Sequence, residues 1–296
     1  MVKKLVTAAV VVLIIVIGLT AVAAQKDPVE SRETKAGPVY LSDASLASGQ
    51  TAAPNAKKPA VKETKHQTRG RGLAAIDSAA KAKKYLFMFC YKSDDEQTQK
   101  MRKLFDVATT KVRKRANSTK VNIADPAEKG IVEKFKLNSA PTPLVLVLAP
   151  NGAVTGGFPV SFEEKQLMEA FVSPCAENCL RALQDGKLVL LCVQNASSNS
   201  KDAALKGVTD FKADPRFAQF TQIVMLNPTD VAETKFLGQL QVDPKSSEAI
   251  TVFLTPPGAV LGKFNGATDK ARLVTALSAA SSGGCGSGSK SSCCPK

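Results

Sequence analysis

Apolar and polar residues fall into short blocks along this chain, and the sharpest block is Tyr85-Leu-Phe-Met-Phe-Cys-Tyr91. It is too short for an ordinary helix and rich in aromatics, so it predicts a buried strand. A polar stretch follows, after which Met101, Leu104, Phe105, Ala108 and Val112 recur at the spacing of one helix face. Ser93 with Glu96 three residues on predicts a capping box, the serine hydroxyl accepting from the first turn while the glutamate reaches back. Strand, turn and amphipathic helix make half of a βαβ unit.

The blocks around this core extend the pattern. Residues 73–84 predict a helix leading into the strand. Residues 120–126 predict a second strand ending at a turn, and 127–135 a short helix with Ile131, Val132 and Phe135 inward. Proline is tolerated only at a strand's start or edge, so the strand in 139–148 should begin after Pro143. Residues 149–152, Ala-Pro-Asn-Gly, have the chemistry of a hairpin turn, with 153–158 as the returning strand. Ser161 and Glu164 predict a second capping box, opening a helix that runs to about Val172.

A similar block at 187–192 starts a second round of the same order. Cys90 and Cys192 are 102 positions apart (192 − 90), as are Pro126 and Pro228 (228 − 126). The turn at 149–154 recurs at 255–260, and Gly156-Gly-Phe158 at Gly262-Lys-Phe264, both displaced by 106. The difference predicts an insertion of four residues within 241–246 (106 − 102), and the whole a tandem duplication. The domain organisation expected is a leader at 1–24, a linker at 25–71, two domains at 72–172 and 173–280, and a tail at 281–296.

Composition changes the picture at the ends. Lys3 and Lys4 precede an apolar run from Leu5 to Thr20 and the small residues Ala21-Val-Ala23, the pattern of an export signal, cleaved or retained as a membrane anchor. The chain is therefore expected to be exported, periplasmic or otherwise extracytoplasmic. Residues 25–71 are rich in Ala, Pro, Ser, Thr and Lys and read as a flexible spacer, basic at Lys57, Lys58, Lys62, Lys65, Arg69 and Arg71. His66, the single histidine, falls there and is no candidate catalytic base. Net charge is +14. With an export signal and no RNA-binding or zinc-finger motif, nucleic acid is not the expected partner. An anionic membrane surface, met through the basic linker, or an acidic envelope polymer fits better.

In element order, each half resembles the thioredoxin-like superfamily. The proline-entered segment Ala140-Pro141-Thr142 looks like that family's cis-proline loop, and Asn151-Gly152 with Gly156-Gly-Phe158 looks like its closing hairpin. The fold class expected is α/β: two tandem thioredoxin-like domains, each a central mixed sheet flanked by helices. The family's chemistry needs Cys-x-x-Cys at a helix N-terminus, where dipole and free N–H groups stabilise a thiolate. Here those positions, 94–97, hold carboxylates and an amide, and the matching place at 196–199 holds no sulfur. A shift of 106 from Pro141 lands on Ser247. Dithiol exchange at the usual site is excluded, so the chain reads as non-catalytic; were it an enzyme, it would be a thiol-disulfide oxidoreductase. The resemblance implies that an extended peptide pairs beside the cis-proline, giving Tyr91, Lys92, Ser93, Ala140, Pro141 and Thr142 as the candidate peptide-binding residues and an envelope protein or peptide as partner.

Seven cysteines leave an alternative open. Cys90 and Cys192 lie in apolar strands, as small buried hydrophobes do. Ser173-Pro174 reads as a helix start, which puts Cys175 in the first turn, where a thiolate is favoured, and Cys179 one turn on. These two are candidates for catalysis or for a soft metal, and fit a core-facing position equally well. Cys285, Cys293 and Cys294 sit in a Gly/Ser-rich tail and suit Cu or Zn, or a mixed disulfide. No other cofactor is implied.

Overall fold

In the computed structural model, residues 70–282 of the 296 are described. The leader, the linker with His66, and Cys285, Cys293 and Cys294 lie outside the described residues. The first half runs α1 (Arg71–Lys81), β1 (Tyr85–Tyr91), α2 (Glu96–Val112), β2 (Ala116–Asn122), a 3-10 turn and α3 (Lys129–Phe135), β3 (Leu144–Leu148), β4 (Val154–Pro159) and α4 (Glu164–Glu169). The second runs α5 (Pro174–Gln184), β5 (Leu188–Val193), α6 (Lys201–Ala213), β6 (Thr221–Leu226), a 3-10 turn and α7 (Thr234–Gln239), β7 (Ile250–Thr255), β8 (Ala259–Asn265) and α8 (Lys270–Ser282). Each half has its own mixed four-stranded sheet, ordered β2-β1-β3-β4 and β6-β5-β7-β8. The first pair in each is parallel and the other two are antiparallel. The fold is α/β, two tandem thioredoxin-like domains.

The strand at 85–91 forms with those bounds and is buried on both faces. Phe87 and Phe89 pack on Met101, Phe105 and Ala108 of α2, on Leu167 of α4 and on Ala170 just after it. Leu86, Met88 and Cys90 face the other way, toward Ile131 and Val132 of α3 and Ala79 of α1. β3 starts after Pro143, and the Gly152 N–H closes the hairpin turn on the Ala149 carbonyl (2.8 Å), with Gly152 at φ +81°. β2 begins four residues earlier than its apolar content suggests, because the side chains it buries are only Ala116 and Val121 and its backbone pairing to β1 defines it.

Pairing corrects the register of the duplication. Cys90 lies opposite Leu144, at the start of β3, but Val193 lies opposite Ile250, at the start of β7. Val193 is thus the counterpart of Cys90, and Cys192 stands where Phe89 stands. A shift of one residue turns a side chain to the other face of a sheet. Accordingly Cys192 packs on Phe211 and Phe253, against α6 and α8, whereas Cys90 faces α3. Pro126 and Pro228 do not correspond either. Asp125 accepts from the Ala127 N–H and Asp230 from the Ala232 N–H, both at 2.9 Å, and each turn ends in a buried glutamate, Glu128 or Glu233. Pro126 therefore matches Val231. The displacement is 103 at β1 and β5 (188 − 85), 105 at the helix caps Asp95 and Ser200 (200 − 95), and 106 at β3 and β7 (250 − 144). Two of the three extra residues lie in the loop before α6; only one lies between Glu233 and β7.

The buried glutamates hold the first helix of each half. Glu128 Oε2 accepts from the Gly72 N–H in the first turn of α1 (3.0 Å), and Glu233 Oε1 accepts from the Cys175 N–H in the first turn of α5 (3.0 Å). Free N–H groups at a helix start favour a carboxylate there. Glu233 also accepts from Ser173 Oγ (2.5 Å).

Helix α5 serves both halves. Cys179, Ala182 and Leu183 enter the second core, while Leu180 packs on the first. Gln184 lays its amide along the edge of β4, accepting from the Val154 N–H (2.8 Å) and donating to the Val154 carbonyl (2.7 Å). Tyr85 Oη donates to Glu177 Oε1 (2.5 Å) and accepts from the Val172 N–H (3.1 Å). Burial, first of all, raises the pKa of both the Tyr85 phenol and the Glu177 carboxyl.

Candidate functional site

The start of α2 faces the segment that leads into β3. Asp95, rather than Ser93, is the N-cap: its Oδ1 accepts from the Thr98 N–H (2.8 Å). Ser93 Oγ instead donates to Asp95 Oδ2 (2.6 Å), and these bonds, the one from Ser93 foremost, hold the Asp95 carboxyl below the usual carboxylate range. The second predicted box is displaced likewise, with Glu163 as N-cap of α4 and its N–H donating to Gln166 Oε1 (2.8 Å). In both places the acidic residue closer to the helix wins, because its carboxylate sits nearer the free N–H groups.

Of the predicted peptide-binding residues, Tyr91 is half-buried beneath the Arg102 guanidinium, 4.8 Å from its ring centroid. Arg102 is tied to Asp94 (2.7 Å), and its Nε is buried without a hydrogen-bond partner among the described residues. Lys92 Nζ reaches across to the Asn138 carbonyl (3.4 Å), joining the two loops. Ala140 and Thr142 are half-buried and Pro141 is exposed. The cis peptide bond joins Thr142 to Pro143, not Ala140 to Pro141, which corrects the position assigned to the cis-proline. The third wall is Val160, whose N–H donates to the Pro143 carbonyl (2.7 Å) and whose own carbonyl accepts from Gln97 Nε2 (3.4 Å). The Pro141 carbonyl and both backbone groups of Thr142 have no hydrogen-bond partner among the described residues.

The second half has the same place, but its own chain fills it. Asn199 forms a parallel bridge with Glu248, donating its N–H to the Ser247 carbonyl (2.7 Å) and accepting from the Ala249 N–H (3.0 Å). Residues 247–249 are the counterparts of 141–143 in the strand register. The Gly266 N–H donates to the Ala249 carbonyl (2.8 Å) as Val160 does to Pro143, and both residues have positive φ, +72° and +68°. The two-residue longer loop before α6 is what lets Asn199 reach. Position seven of each helix agrees with this difference. In α2 it is Arg102, lying over the aromatics; in α6 it is Gly207, where a Cβ would fall 1.7 Å from the Thr268 carbonyl oxygen.

The cysteines correct the expectation of a favoured thiolate. Cys175 does lie in the first turn of α5, under the Ser173 cap and Pro174. Its thiol, however, is pushed up to about 12 by burial and then by the Glu233 carboxylate, which has taken the helix N–H the thiolate would have used. Cys175 Sγ donates to the Met225 carbonyl (3.3 Å). Cys179 is buried and likewise pushed up to about 12, chiefly by burial, as are Cys90 and Cys192. All four are unpaired thiols. Among the described residues no group of three or more His, Cys, Asp or Glu could hold a metal ion.

Sequence reasoning missed Arg102, Asp94, Val160 and Asn199. Arg102 had a signal, since Phe89 and Tyr91 alternate along one strand face and call for a cover. The buried glutamates had one too, in the recurrence of Asp125-Pro-Ala-Glu128 as Asp230-Val-Ala-Glu233. Nothing local marks Asn199, whose role depends on what lies across the loop.

No family model matches this chain, and no curated protein does. Solved structures resemble it at low identity. The first two thioredoxin domains of Saccharomyces cerevisiae Eps1p are 9% identical, with 75% of this chain and 98% of that one covered and a TM-score of 0.25. Human ERp44 is 10% identical over 76% of this chain and 60% of that one, with a TM-score of 0.31. The first two thioredoxin domains of Naumovozyma dairenensis Eps1p are 10% identical over 65% and 89%, with a TM-score of 0.25. The fold assignment rests on the strand order and pairing given above.

Proposed function

We propose that this is an exported, non-catalytic thioredoxin-fold protein that holds an extended polypeptide of an envelope partner in its first-half groove. The observation that carries this reading is the bridge from Asn199 to residues 247–249 in the second half. There an extended backbone lies along the segment entering the sheet, while the matching segment of the first half keeps its Pro141 carbonyl and Thr142 groups without a partner among the described residues. Unpaired backbone groups along an extended segment offer a template for pairing, so a polypeptide strand supplied by another chain would take the place that Asn199 takes internally. Acidic residues at the α2 start, in place of thiols, support binding without dithiol exchange. The alternative is thiol-disulfide or soft-metal handling by Cys175, Cys179 and the tail cysteines; the raised Cys175 and Cys179 thiols weigh against it, and the tail lies outside the described residues.

The test uses the full chain and a reduced, carboxymethylated, permanently unfolded polypeptide as probe, read by isothermal titration. Saturable binding is expected, weakened about tenfold by Pro141→Ala, which frees a backbone the proline holds ready for pairing. Absent binding, or affinity indifferent to that substitution, overturns the reading.

A further inference from the structure

We infer that the outer edge of β2 is a second binding surface, on which an acidic, extended peptide adds as a strand beside α1. Among the described residues β2 is an edge strand, with β1 on one side only. Tyr85 donates to the Arg115 carbonyl (3.1 Å) and Ile123 donates to the Tyr91 carbonyl (2.9 Å), so the odd-numbered residues of β2 turn their backbone groups toward β1. In a parallel ladder the alternate residues point the other way. The N–H and C=O groups of Ala116, Ser118 and Lys120 therefore line the open edge, and none bonds outside the sheet among the described residues.

The matching edge in the second half has two of its outward carbonyls capped. There Leu226 faces β5, since its carbonyl accepts from the Gln194 N–H (3.0 Å), so Ile223 and Met225 face outward. The Ile223 carbonyl is taken by Gln222 Nε2 (3.1 Å) and the Met225 carbonyl by Cys175 Sγ (3.3 Å). The edge of β4 is met by Gln184. An uncapped edge is a template for another strand, and folds ordinarily blunt it. Beside β2 there is also room, for Ala75 and Ser78 of α1 leave a groove with Leu86, Arg113 and residues 116–119.

Charge selects the occupant. Lys81, Lys83, Lys84, Arg113 and Lys114 flank the paired residues Tyr85 and Ala116 at that end of the groove, with Arg113 lining it, while Arg115 stacks on the Phe171 ring (4.2 Å); the acidic residues nearest in sequence are Asp77 and Asp106, the latter paired with Lys120 (2.7 Å). Lys81, Lys83, Arg113 and Lys114 have no carboxylate partner among the described residues. A strand with carboxylates at one end and alternating small and apolar residues meets both features. This surface is separate from the groove at Pro141.

The probe is a fluorescein-labelled peptide, Asp-Asp-Glu-Val-Thr-Val-Ser-Val-Thr, titrated into the full chain by anisotropy, with its Lys-for-acid counterpart as control. Binding is expected for the acidic peptide only, with amide shifts at Ala116, Ser118 and Lys120. Ser118→Pro removes an outward N–H and obstructs the edge while leaving the ladder to β1 intact; it should weaken binding at least tenfold. Arg113→Glu with Lys114→Glu should do the same, and decides the matter if circular dichroism finds Ser118→Pro unfolded. No binding, equal binding of the basic peptide, shifts confined to Pro141–Val160, or a folded Ser118→Pro that binds normally would each overturn the proposal. So would loss on charge reversal matched by equal loss of binding to phosphatidylglycerol vesicles with Ser118→Pro unaffected, which would mark a membrane-facing cation patch instead.

Discussion

The two halves of this protein share strand order, a buried glutamate under the first helix, and a segment entering the third strand, yet they treat that segment in opposite ways. In the second half the longer loop before α6 lays Asn199 along residues 247–249, and Gly207 lets the backbone at Thr268 close onto the helix. In the first half the loop is shorter, Arg102 covers Phe89 and Tyr91, and the segment at 141–142 stays open. The second half thus illustrates, within a single chain, how the matching place in the first half can be occupied. It also shows that a groove can be closed by two residues of loop length without any change of fold.

The largest effect should come from the shared glutamate. Glu233→Ala removes the acceptor for both Ser173 and Cys175, and Glu128→Ala the acceptor for Gly72 alone. Bonds to a buried charge contribute about 1.5–3 kcal/mol each, so urea unfolding should report a loss of about 3–4 kcal/mol for the first and about 2 kcal/mol for the second. Removing that anion also lowers the Cys175 pKa from about 12, so alkylation of Cys175 at pH 8.5 should speed up in Glu233→Ala. Equal losses in the two variants would mean that the two caps are not used as described.

An intermediate effect is expected from deleting Ala196 and Ser197, which gives the second half the loop length of the first. Withdrawal of Asn199 forfeits two backbone hydrogen bonds, a cost of about 1–2 kcal/mol. The unfolded-polypeptide titration should then show a second binding event. Unchanged stoichiometry would break the analogy between the grooves.

The smallest effect concerns the groove rim. Val160 is a β-branched residue at φ +68°, where the second half has Gly266 at +72°. Val160→Gly should relieve strain and raise stability by about 1 kcal/mol in urea. If the strained residue also shapes the site, the same variant should bind the probe more weakly; a stability gain with unchanged binding would make the valine incidental.

Much of the fold was legible. The bounds of β1, the start of β3 after Pro143 and the Asn151-Gly152 turn follow from residue types that tolerate few alternatives. The capping residues were misread by two places because Ser93 and Asp95 offer competing acceptors, and only the position of the first helical turn chooses between them. Counting identical residues aligned Cys90 with Cys192 and Pro126 with Pro228, whereas backbone pairing aligns them with Val193 and Val231. Identity at a fixed spacing is weaker evidence of register than hydrogen bonding, and in a strand one residue of error reverses the face.

By itself the sequence determined what the backbone could locally become: where strands, turns and helix starts lie, that the order occurs twice, and that no Cys-x-x-Cys stands at a helix start. These follow from side-chain size, periodicity and the special geometry of glycine and proline, which act within a few residues. Only the tertiary structure decided which faces the two strand cysteines occupy, that Glu233 rather than a thiolate takes the start of α5, and that one groove is filled while its twin is open. Those outcomes depend on groups brought together from distant positions, where a displacement of one residue or two changes which backbone donor meets which acceptor.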